Sequence, residues 1–184
     1  MVRTRRLIPA GTTPACLLRP GVEVPWGTPF GLGRLWVLAT AAVLAVGGVA
    51  ITFVGMTSVF VPQDLEYMCL SAKFLHSINP RLVPLIAHDR AGFGSGLFTT
   101  SLTVFFCLWC AKPCRSLWQV LAVAGSVGFV TVVGVHPVIG YLSASHLAPA
   151  VVVSVVFVVG ILLCFRNMHV RGDQGHANSS LAES

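Results

Sequence analysis

Charge is what this sequence has least of. Twelve Lys and Arg and six Asp and Glu make 10% of 184 residues, where an ordinary globular domain carries about 25%. So little charge excludes a disordered chain or a coiled coil, and it excludes a nucleic-acid binder that relies on basic clusters. With 55% hydrophobic residues and a mean hydropathy of +0.82, too little polar surface remains to cover a water-soluble core of this length. The sequence also lacks an internal repeat and the period-two alternation of a membrane barrel. The expected class is an all-α membrane protein.

What is present is a set of long uncharged runs. A crossing helix needs roughly 20 mostly apolar residues. Residues 35–61, 91–111, 118–138 and 147–165 satisfy or nearly satisfy this without one Lys, Arg, Asp or Glu. They are rich in Val, but open strands in lipid would leave backbone groups unpaired, so helix is expected. The prediction is a four-helix transmembrane bundle over residues 35–165. A Pro-rich arm (1–34, with Pro9, Pro14, Pro20, Pro25 and Pro29) precedes it, and a polar, disordered tail (166–184) follows. The arm has no apolar run long enough for a secretory signal. No charge inside any span means no support for a proton relay or voltage sensor.

Nine of the twelve Lys and Arg fall on one side: Arg3, Arg5, Arg6, Arg19, Arg34, Lys112, Arg115, Arg166 and Arg171. The positive-inside rule then places both termini in the cytoplasm. On the other side, Pro62 ends the first span and Asp64 can cap a new helix. Leu65, Met68, Cys69, Ala72 and Leu75 recur at helical spacing, which predicts an amphipathic interfacial helix over about 64–79. Asn79-Pro80 ends it, and Pro84 is expected to keep residues 81–90 irregular. Gly92 and Gly96 form a GxxxG pair, a patch on which another helix can pack closely.

The polar and titratable side chains gather at the outer ends of the spans: Asp64, His88, Asp89, Arg90, His136, Tyr141 and His146. Three uses fit these residue types. They can cap helix ends and lock loops. His88, His136 and His146 can hold a metal or haem iron, with a carboxylate as ligand or orienting group, although no pair has an HxxxH spacing. Arg81 and Arg90 can clamp a phosphate or carboxylate, such as a lipid headgroup, and a hydrolytic version would use His88 or His136 as base. Cys107 and Cys110 form a C-x-x-C with Cys114 four residues on. This can be redox-active or bind zinc, but it lies at the expected cytoplasmic end, where thiols stay reduced.

The blocks Val59-Phe-Val-Pro-Gln-Asp64, Ile78-Asn-Pro-Arg-Leu-Val-Pro-Leu-Ile-Ala-His-Asp-Arg-Ala-Gly-Phe-Gly-Ser-Gly-Leu97 and Gly134-Val-His-Pro-Val-Ile-Gly-Tyr141, with His146-Leu-Ala-Pro149, resemble an uncharacterised family of bacterial multi-pass membrane proteins. The resemblance covers about residues 59–150. It implies a bacterial inner membrane and brings no activity. The leading expectation is a non-catalytic membrane component or partner-binding subunit, surrounded by the lipid bilayer and touching a membrane partner or a second copy. The alternative is a metal-, haem- or headgroup-binding protein, enzymatic or not, using the outer polar layer.

Overall fold

The computed structural model describes residues 19–21 and 25–182, with side chains followed to residue 169. Arg3, Arg5, Arg6 and most of the Pro-rich arm lie outside the described residues. Six helices and no strand occur among the described residues. They are α1 (Pro29–Met56), α2 (Pro62–Met68), α3 (Ala72–Ile78), α4 (Leu82–Cys110), α5 (Arg115–Ile139) and α6 (Ala144–Ala182). Four of them, α1, α4, α5 and the Ala144–His169 part of α6, are long and apolar enough to cross a membrane. The all-helical, four-span architecture is therefore as expected.

The helix ends differ from the uncharged runs because charge marks where lipid stops, not where a helix stops. α1 starts six residues before the first run. Thr28 caps it by accepting a hydrogen bond from Gly31 N at 3.1 Å, and Pro29 takes the first position, where its missing N–H goes unused. α4 starts at Leu82, nine residues before the second run. Pro84 falls in its first turn, where no N–H is needed from it, so residues 82–90 are helical and not irregular. α6 runs on to Ala182 through the stretch whose composition suggests disorder. No proline follows Pro149 to stop it. The single interfacial helix is instead two. Cys69 adopts a left-handed backbone (φ 52°) that closes α2, and Ser71 opens α3 by accepting from Phe74 N at 3.1 Å.

α1 lies between α4 and α6, and α5 packs on α6. The α1–α4 seam is close because it is built on glycine. A Cβ on Gly94 would sit 2.5 Å from Thr52 N, and one on Gly48 would sit 2.6 Å from Phe98 N. Gly92 and Gly96, the expected packing pair, face open space. Each helical residue turns about 100°, so Gly94 points opposite to its two glycine neighbours. The seam therefore uses Arg90, Gly94, Ser101 and Leu108, and the GxxxG face is outside it. Val37, Leu38, Leu108, Leu121, Phe157 and Ile161 form the main apolar core from all four long helices.

Both ends of the bundle carry polar anchors. At the end where α1 begins, the buried Arg34 donates from Nε to the Leu108 carbonyl at 3.2 Å and from Nη2 to the Trp109 carbonyl at 2.9 Å. These carbonyls belong to the last turn of α4, which carries the negative end of the helix dipole. Gly21 N also donates to the Trp109 carbonyl at 2.9 Å. The opposite end is where the predicted polar layer lies.

Candidate functional site

α2 begins at a proline and places Asp64 two residues later. The Asp64 carboxylate reaches back to accept from Val61 N at 3.1 Å, which satisfies an N–H that the first turn leaves open. Asp64 is also an ion-pair partner. Arg90 Nη2 donates to its Oδ2 at 2.7 Å, and the two side chains are only 24% and 12% exposed. Arg90 Nη1 donates to the Val59 carbonyl at 2.7 Å. Val59 itself has φ 64°, an uncommon and costly backbone for a β-branched residue. Arg90 thus holds a strained turn and a carboxylate with the two arms of one guanidinium.

The connection between α5 and α6 closes over this pair. Gly140, at φ 75°, ends α5. Tyr141 then donates its hydroxyl to Asp64 Oδ1 at 3.2 Å, so both carboxylate oxygens are engaged. The Tyr141 ring lies 4.7 Å from that of Tyr67 and 4.8 Å from that of His146. Tyr67 donates its hydroxyl to the Ile139 carbonyl at the end of α5. His136 is buried on α5, with its ring 5.5 Å from His146 and 6.0 Å from Tyr141. Its Nδ1 lies 2.7 Å from the Val132 carbonyl. A carbonyl only accepts, so Nδ1 carries a hydrogen, and in the neutral ring Nε2 is then the lone-pair nitrogen. The Tyr141 phenol titrates above the ordinary tyrosine value. Burial is the largest cause; the charge and hydrogen bond of Asp64 and the charge of Glu66 add to it, and Arg90 opposes it.

Five of the seven expected residues therefore converge: Asp64, Arg90, His136, Tyr141 and His146. His88 and Asp89 do not. They contact each other at 3.2 Å and are 84% and 73% exposed. Consecutive helical residues diverge by about 100°, so three adjacent residues cannot share one site, and Arg90 alone faces inward. His88 is thus separated from His136 and His146. Among the described residues no three His, Cys, Asp or Glu side chains form a group that could hold a metal ion. The Arg81–Arg90 anion clamp also fails to form, since Arg90 is bound to Asp64 and Val59. Cys107, Cys110 and Cys114 are exposed at the opposite end, where α4 stops and α5 starts.

Two members were missed from the sequence. Tyr67 had a visible signal: it lies three residues from Asp64, on the same face of a helix. Val59 had none, because its role rests on its carbonyl. No protein-family model, curated protein or solved structure matches the chain.

Proposed function

We propose that this chain is a non-catalytic component of a bacterial inner membrane that binds a membrane partner or a second copy, with its polar end serving as a structural clasp. The observation that carries this reading is the use of the charged groups. Arg90 is engaged by Asp64 and Val59, and Asp64 by Arg90, Tyr141 and the Val61 N–H. An active site needs charge or lone pairs left over for a substrate, and this pair is neutral and engaged on both sides. The surplus of Lys and Arg at the Arg34 end supports cytoplasmic termini.

Purification in a mild detergent tests the reading. The expected product is colourless and free of stoichiometric metal, with a second subunit or copy retained through gel filtration. A Soret band or one transition-metal ion per chain would contradict it.

One observation favours a second reading, a metal, haem or headgroup site with His136 and His146. The bond from His136 to Val132 fixes its tautomer and leaves Nε2 as an available donor beside the second imidazole. Metal-ligating histidines commonly donate their other nitrogen to a carbonyl in this way. Under this reading His136→Ala abolishes bound metal or colour in a sample that contains it.

A further inference from the structure

The break at Cys69 gives the two short helices different tasks. α2 belongs to the clasp through Asp64 and Tyr67. α3 makes no such commitment: Leu75 is buried at 6% exposure, while Phe74 and Ile78 are 52% and 60% exposed. At about 100° per residue, Phe74, Leu75 and Ile78 occupy one arc of α3, and Lys73, His76 and Ser77 occupy the opposite one. The apolar arc is wider than the part the protein covers. From Met68 to His88 there is no acidic residue, while Lys73 and Arg81 are basic.

What covers that arc follows from connectivity. Three residues separate Ile78 from Leu82, where the crossing helix α4 starts. That connection spans about 14 Å at most, so α3 stays beside the first turns of α4, and the Asp64–Arg90 pair holds the preceding α2 at the margin of the uncharged run 91–111. α3 is tethered on its other side through α2 to the crossing helix α1. We propose that α3 is an in-plane membrane anchor: Phe74 and Ile78 insert among the upper acyl carbons, and Lys73 and Arg81 reach the lipid phosphates. Apolar side chains gain by leaving water, and the long Lys and Arg stems let their charges stay at the phosphate level. The inserting face differs from the stripe read off the sequence, which assumed an unbroken helix through Cys69.

Tryptophan placed on each arc tests this in proteoliposomes of phosphatidylcholine, using the emission added over that of the four native tryptophans. Phe74→Trp is expected to add blue-shifted emission that shallow brominated lipid quenches more than aqueous iodide does. Ile78→Trp reports the same arc should Phe74→Trp disturb the fold. Ser77→Trp, on the polar arc, is expected to show the reverse preference. Iodide quenching of both Phe74→Trp and Ile78→Trp without bromolipid quenching would overturn the proposal. So would identical behaviour of Ser77→Trp and Phe74→Trp.

Discussion

Arg34 and Arg90 are both arginines at the margin of an uncharged run, and neither is a simple flank charge. Arg90 binds Asp64 and the Val59 carbonyl, and Arg34 binds two terminal carbonyls of α4. Arg34 reads from the sequence as a topology signal because its partners, Leu108 and Trp109, are backbone groups 74 and 75 residues away. Side-chain chemistry carries no trace of such a partner. Arg34→Ala is expected to lower unfolding stability in detergent by about 3 kcal/mol, the scale of hydrogen bonds from a charged donor. Arg34→Lys should recover only part of it, because an ammonium lacks the fork that reaches two carbonyls. Tyr141 supplies a second test at this scale. The chain has two tyrosines, so Tyr67→Phe isolates Tyr141 for ultraviolet titration. Its phenolate should appear above the usual value of about 10, because burial and Asp64 oppose ionisation. A folded-state value raised in this way means that the Tyr141 contribution to stability is complete below the unfolded phenol's pKa. It is lost as pH rises through the folded one.

Among the elements, the four long helices were legible because lipid imposes one rule on a long apolar run, and α1, α4, α5 and α6 obey it. Their contacts were less legible. Gly92 and Gly96 match a packing pattern, yet the pattern does not say which face of α4 meets α1. The inward face was marked more faintly, by Arg90, Gly94, Ser101 and Leu108 at spacings of four and seven. The opposite signs of two substitutions check this. Gly94→Ala should destabilise by about 1–3 kcal/mol, since its Cβ would meet the Thr52 backbone at 2.5 Å. Gly92→Ala meets nothing within 4 Å and should stabilise by about 0.5–1 kcal/mol through helix propensity alone. Thermal unfolding of both variants in one detergent makes the comparison. The α2–α3 break was hidden because Cys69 is not a residue type that announces a left-handed turn, whereas Gly140 at the end of α5 is.

At the scale of the molecule, the apolar core and Arg34 hold one end, and the clasp at Asp64 and Arg90 holds the other. The clasp ties α2 and the α5–α6 connection to α4. Sequence placed its residue types at one end of the bundle, because the alternation of crossings sorts charges by side. It could not separate Arg90 from His88 and Asp89, since that distinction depends on the rotation of α4. Asp64 and Arg90 act as one unit that stabilises the fold at this end. A double-mutant cycle measures this most directly: Asp64→Ala, Arg90→Ala and the pair, each unfolded thermally or by denaturant in the same detergent. The predicted result is that each single change destabilises and that the double variant is much less destabilised than their sum, with a coupling of about 0.5–3 kcal/mol. Additivity within about 0.5 kcal/mol, or single variants as stable as the parent, would contradict it.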